Sequence, residues 1–254
     1  MTAEAATPAP ASPNALLAFD SATERTSIAL AAHGRIWQRE GEGGARASAT
    51  FLPAVMAVLA EAEVAVDALD AIAFSRGPGA FTGLRTACAV AQGLALGAGK
   101  PVLPVDSLLA VAEDARGGDA AQRIWVLMDA RMDEIYAAHY AFDAGRWKTL
   151  AAPMLTTPSL LADVWRHDPP EVIAGSALGA FGAALEAGTA RRVPSALPRA
   201  RAMLALADAM WHAGGAVDAA LALPLYVRDK VAQTTVERDA TRLAKLTAMA
   251  EAAR

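Results

Sequence analysis

The stretch Ser75–Arg85, "SRGPGAFTGLR", sets Gly77, Pro78, Gly79 and Gly83 within seven residues, directly after the apolar run "AIAF". A glycine-rich turn between a strand and a helix can aim backbone N–H groups at a phosphate. Arg76, Gly77, Pro78, Gly79, Phe81, Thr82, Gly83 and Arg85 are therefore candidate loop residues. The stretch lacks the Gly-Lys-Ser/Thr of a Walker loop. It also lacks the acidic residue that follows a second strand in the dinucleotide fingerprint. Two readings stay open: a phosphate cradle, or a tight strand-to-helix turn. Asp20 and Asp129 each end an apolar run before a turn. Such carboxylates suit a metal–phosphate site between two lobes, and aspartate is equally favoured by turn chemistry alone.

Other chemistries have less to build on. His33, His139, His167 and His212 include no pair spaced three or four apart, and none pairs with a cysteine, so no metal centre is expected. Ser176 lies in "AGSALG", which is not the nucleophile-elbow pattern. Cys88 is the single cysteine; it reads as a small core residue, and no intramolecular disulfide is possible. The formal net charge is -4, with a sequence pI near 5.6. No basic face is indicated, so any role with nucleic acid is expected to be indirect.

Positioning these residues requires a sizeable fold. The 254 residues are 54% hydrophobic and rich in alanine, which favours helix. The leader, residues 1–14, has neither a basic nor an apolar signal region and reads as disordered. No long, strongly apolar run predicts a membrane span, and a cytoplasmic location is expected.

Strands are predicted at Leu16–Phe19, at Thr26–Leu30 and from Ile36, with a turn at His33-Gly34. A helix is predicted over Ala49–Val64, with Phe51, Leu52, Val55, Leu59 and Glu63 on one face and Met56 and Ala60 on the next. A helix apolar nearly all round must be buried or covered by a partner. A strand at Ala71–Phe74, the glycine block, a small-residue helix over Thr82–Leu96 and a strand at Val102–Val105 follow. The layout then restarts. "RIWVLMDARMDEIYAAHYAF" repeats the arrangement around Asp20, and "VIAGSALGAFGAAL" resembles "AIAFSRGPGAFTGL". This order implies an internal duplication, two α/β lobes each with a hairpin first and a βα unit later. A helix over Arg199–Gly214 and an amphipathic tail with Leu243, Leu246 and Met249 complete the pattern.

At this point the residues carry a resemblance. "FDSATERTSIAL", "FLPAVMAVLAEA", "LDAIAFSRGPGAFTGLRTACAVAQGLA", "LMDARMDEIYAAHY" and "PLYVRDKVA" together resemble the TsaB (YeaZ) family of tRNA threonylcarbamoyladenosine biosynthesis, from Leu16 to Ala232. The resemblance implies an actin-like, sugar-kinase/Hsp70 ATPase-like duplicated two-lobe α/β fold. It suggests a first lobe over 15–110 bearing partner-binding helices, a second over 111–225 and a C-terminal segment over 226–254. It implies a non-catalytic subunit that dimerises with a catalytic paralogue, TsaD, alongside an ATPase, TsaE. The complex modifies adenosine 37 of tRNA, so tRNA is met indirectly. No cofactor is expected on the chain alone, with ATP left to the level of the complex, and a homodimer is expected when the partner is absent.

The resemblance also places the partner interface on Phe51, Leu52, Val55, Met56 and Leu59 of the first helix and Ala87, Val90, Ala91 and Leu94 of the second, as half of a four-helix bundle. The paralogue's metal-binding histidines have no counterpart in "PVDSLLAVAED", where Asp106 and Ala110 stand. Two departures concern side chains: Ala80 replaces the usual serine, and "RASATFLP" lacks the usual histidine lead-in. The rival class is an enzyme, a metal-independent peptidase or a small-molecule kinase of the same superfold, which would need a catalytic constellation or phosphate loops in both lobes.

Overall fold

Apolar runs that are buried on both faces make the central strands, and the computed structural model describes them within residues 12–44 and 47–228. In the first half these are β1 (Ala15–Asp20), β2 (Arg25–Ala32), β3 (Arg35–Glu42), α1 (Ala47–Glu61), β4 (Ala71–Gly77), α2 (Phe81–Ala98), β5 (Val102–Asp106) and α3 (Ser107–Arg116). The second half gives β6 (Gln122–Arg131), β7 (Glu134–Asp143), β8 (Arg146–Thr156), α4 (Pro158–Trp165), β9 (Val172–Ala174), α5 (Ala177–Phe181), β10 (Arg191–Val193) and α6 (Ala200–His212). The sheets run β3-β2-β1-β4-β5 and β8-β7-β6-β9-β10, the same order twice. In each, three strands joined by two antiparallel hairpins precede two strands that add in parallel. The duplicated α/β fold expected from the motifs is what forms.

Local chemistry sets the ends of the elements. His33 and Gly34 both take left-handed φ values, 50° and 68°, as a two-residue hairpin turn requires. Asp106 caps α3 by accepting from the Leu108 amide at 3.0 Å, and Gly99 in a left-handed conformation closes α2. Thr157 caps α4, with Pro158 in its first turn. Exposed β3, "RIWQREGE", protects its sheet edge with charge. The leader up to residue 11 and the tail with Leu243, Leu246 and Met249 lie outside the described residues.

Side-chain alternation on β1 divides the first core. Leu17 and Phe19 pack with Ile72 and Phe74 against α1 and α2, where Phe51, Val55, Leu59, Ala87, Cys88 and Ala91 close the layer. Leu16 and Ala18 face the other way, joined by Ala29, Ala71, Ala73 and Leu103, and this face is covered by Ala200, Met203, Leu204 and Ala207 of α6. Alanine on the sheet lets that helix approach closely. α3 in turn lays Leu108, Val111, Ala112 and Ala115 on Ile124, Val126, Met128 and Tyr140 of the second sheet. Each half thus lends its last helix to the other half's sheet. The expected division after residue 110 falls inside α3, and the lobes are not two contiguous halves of the chain.

The same layer corrects the predicted interface. Phe51, Val55, Leu59, Ala87 and Ala91 are each no more than 2% exposed and belong to this chain's own core. They are unavailable to a partner because the sheet beneath takes them. A charge placed there would lose its hydration with no counter-ion beside it. Val55→Asp is therefore expected to destabilise the chain itself by about 3–5 kcal/mol. Urea denaturation of the isolated variant measures this, and a wild-type midpoint would contradict the packing.

Candidate functional site

β4 runs straight into the glycine block, and the chain packs so tightly there that each glycine answers to a named backbone neighbour. A Cβ added to Gly83 would stand 1.8 Å from the Ser21 carbonyl oxygen, and one added to Gly79 would stand 2.6 Å from that of Ala22. Gly77 has φ +124°, and a Cβ there would meet the Leu225 carbonyl oxygen at 2.5 Å. Polar groups close the same contacts. The Ala80 amide donates to the Ala22 carbonyl at 2.7 Å, and the Leu225 amide to the Arg76 carbonyl at 2.6 Å. The Ser21 hydroxyl donates to the Gly83 carbonyl at 2.7 Å. Protein backbone thus accounts for all three glycines, and the Ala80 amide is spent within the chain.

Arg76 turns inward, its Nε buried and its charge acting on Asp106, while other loop residues border open space. Pro78, Gly79 and Phe81 line a cleft of about 550 Å³, while Thr82 sits exposed at the start of α2. The Arg85 guanidinium lies 3.7 Å from the Phe81 ring centroid and donates to the Tyr226 hydroxyl at 3.1 Å. Phe81 and Tyr226 rings are 4.9 Å apart. Across the cleft stand Asp129, Arg131, Met132, Tyr136 and Ser176 of the second lobe, and its floor includes Leu225–Arg228.

The second-lobe wall is the β6–β7 turn. Arg131, Met132 and Asp133 have φ values of 63°, 57° and 60°, three left-handed residues in succession without a glycine. Such a run needs outside support. Asp129 accepts from the Arg131 amide at 2.8 Å and is 3.2 Å from its guanidinium, while its own amide donates to the Ser176 hydroxyl at 3.1 Å. Asp129 therefore serves turn chemistry. Arg131 also reaches Glu24 of the first lobe at 2.6 Å, an ion pair across the cleft mouth.

Asp20 ends β1 beneath this region and is 1% exposed, outside the cleft lining. Burial pushes its pKa up to about 7, against opposing effects from Ser75 and the Ala22 backbone. Asp106 at the end of β5 is pushed up to about 6 by burial, opposed chiefly by the Arg76 charge and further by the Leu108 and Leu109 amides and Tyr140. Burial, then the adjacent Asp106, raises the Tyr140 hydroxyl above its ordinary range. The proximity of Asp106 to Tyr140, 34 positions later, through which each shifts the other's ionisation, had no sequence signal. Burial holds His139, stacked on Trp125, down to about 4, with Arg123 adding to the effect. Among the described residues no group of three or more His, Cys, Asp or Glu is placed to hold a metal ion.

A second feature lies on the outer side of α1 and α2. Leu52 and Met56 are each 42% exposed and Leu96 is 62% exposed. Pro53, Ala60, Ala89, Gly93 and Gly97 extend this surface, and half-buried Val90 and Leu94 flank it. Gly93 and Gly97 have open space where a Cβ would stand. α1 carries no charge before Glu61, and α2 carries only Arg85. Of the residues predicted for a partner interface, Leu52, Met56, Val90 and Leu94 are those with surface to offer.

Comparison with known proteins gives one consistent result. The sequence model described as TsaD, tRNA N6-adenosine threonylcarbamoyltransferase, matches residues 44–177. The tRNA threonylcarbamoyladenosine biosynthesis protein TsaB of Escherichia coli is 34% identical over 227 residues, which cover 85% of this chain and 96% of that protein. TsaB of Haemophilus influenzae is 30% identical, covering 85% and 94%. The solved structure of YeaZ from Pseudomonas aeruginosa superposes with a TM-score of 0.75 at 38% identity, covering 84% of this chain and 99% of that one.

The buried carboxyl at Asp20 has a pH signature. Its folded pKa is raised from 3.8 to about 7, so the stability it contributes is complete below about pH 4 and lost as pH rises through 7. Asp20→Asn is expected to relieve that loss, gaining on the order of a few kcal/mol at pH 8 relative to pH 4. Thermal melts of both proteins between pH 4 and 8 test this; parallel curves would show that Asp20 ionises freely.

Proposed function

The chain belongs to the TsaB (YeaZ) family, whose named members are tRNA threonylcarbamoyladenosine biosynthesis proteins, and on that premise we propose that it is a non-catalytic subunit that binds and activates a TsaD-type catalytic paralogue. The observation that carries this reading is the uncharged outer face of α1 and α2, with Leu52, Met56 and Leu96 in solvent. Exposed apolar surface of this extent on paired helices marks an interaction site. The chain itself matches a TsaD-type model over residues 44–177, and in this reading the partner is a paralogue of like fold that presents an equivalent helix pair. Two such pairs pack as a four-helix bundle, with Ala89, Gly93 and Gly97 allowing close approach.

In this reading the product is N6-threonylcarbamoyladenosine at position 37 of tRNA. The paralogue does the transfer, the TsaE ATPase completes the complex, and ATP acts at that level. The glycine block serves as architecture. Without its partner the chain covers the same face by pairing with itself. No helix among the described residues is long and apolar enough to cross a membrane. In this reading the reaction takes place in the cytoplasm, with its tRNA substrate.

The test is product formation in a reconstituted system with this chain present or omitted. Omission is expected to abolish the product, and the chain alone should make none. Leu52→Glu with Met56→Glu, at exposed positions, should leave the melting temperature within a few degrees and weaken the heterodimer about tenfold or more. Product at full yield without the chain, or an intact complex with the double variant, would sink the proposal.

A further inference from the structure

The last described segment, Ala222–Arg228, is not a neutral tail. It starts in one core and ends in the other. Ala222 is fully buried in the first-lobe cluster, and its carbonyl accepts from Cys88 Sγ at 3.3 Å and Gln92 Nε2 at 3.0 Å, both on α2. Val227 packs on the second-lobe cluster. Between them Leu225 is bound by the glycine block through the Arg76 carbonyl, at a spot where only a glycine at position 77 leaves room. Tyr226 is held by Phe81 and Arg85. Arg228 then takes the β6–β7 turn. It donates to the Ala130 carbonyl at 2.9 Å and pairs with Glu134 at 2.6 Å, with its side chain only 14% exposed.

We propose that this segment is a latch: it is the glycine block's own intramolecular ligand, and it ties the two walls of the cleft together. The glycine block is then a receptor for main chain. It recognises an extended segment by one amide-to-carbonyl bond, by a glycine that admits the Leu225 carbonyl, and by an aromatic and a guanidinium that grip Tyr226. The three left-handed residues of the β6–β7 turn are supported from outside by the Arg228 guanidinium, so the strain of the turn and the seating of the latch depend on each other.

A reciprocal hydrogen-exchange experiment on the full-length chain tests it. Arg228→Ala removes the polar second-lobe anchor and Tyr226→Ala the aromatic first-lobe anchor. With a tied latch, Arg228→Ala should speed amide exchange by about fivefold or more at Ala80 and Leu225, and Tyr226→Ala should do the same at Arg131. Amides of α4 should keep their wild-type rates in both. Two outcomes overturn the proposal. In one, each variant loosens only its own anchor, which makes the contacts independent. In the other, all amides accelerate alike, which makes the effect general destabilisation.

Discussion

The contact on which the rest of the structure depends is the seating of the α2 N-terminus on the β1–β2 turn. The Gly83 backbone approaches the Ser21 carbonyl so closely that no side chain fits between them, and the Ser21 hydroxyl and Ala80 amide lock the two segments together. This contact fixes the position of α2 over the first sheet. The rotation of α2 then decides that Ala87 and Ala91 go inward and that Gly93 and Leu96 go outward. It also fixes the groove along α2 where Ala222 is held, and so the path of the C-terminal segment. A motif that resembles a ligand loop is thus occupied by the chain's own backbone.

Alanine does two jobs in this molecule. On the inner sheet face, Ala18, Ala29, Ala71 and Ala73 give up area per residue in exchange for close approach of α6. On the outer faces of α1 and α2, alanine and glycine leave a low, uncharged surface that a second helix pair can meet at short distance. Composition alone cannot separate these jobs, because the same residue type suits both.

The two halves keep one topology and diverge in detail. α2 is 18 residues long, whereas its counterpart α5 is 5, so the second lobe has no equivalent of the extended helix pair. The glycine contacts diverge as well: Gly175 keeps a main-chain approach, with Leu127, while Gly179 and Gly182 have open space around them. Burial of Asp20 and of Asp106 beneath the first-lobe loop has no matching carboxyl on the second side, where Asp129 is turned to hold its hairpin.

By itself the sequence determined the strand and helix order from β1 to β5, the duplication and the glycine block, because these follow from local periodicity, glycine placement and repetition; α3, β8, α4 and β10 had no such signal. The apolar runs "ALLAF" and "IWVLM" are short and bounded by turn residues, as buried strands are, and Gly34 and Gly99 both take the left-handed φ of turn and helix-end positions. Tertiary structure alone decided which apolar residues face a partner. Val55 and Met56 are neighbours of similar character, yet one is in the core and the other in solvent, because the register of α1 on the sheet is set by long-range packing. It also decided that α3 and α6 cross between lobes, that Asp106 lies close enough to Tyr140 to shift its ionisation, and that the glycine block meets Leu225. Contacts between residues far apart in the chain leave no local pattern, because the energy that selects them is shared among side chains that only the fold brings together.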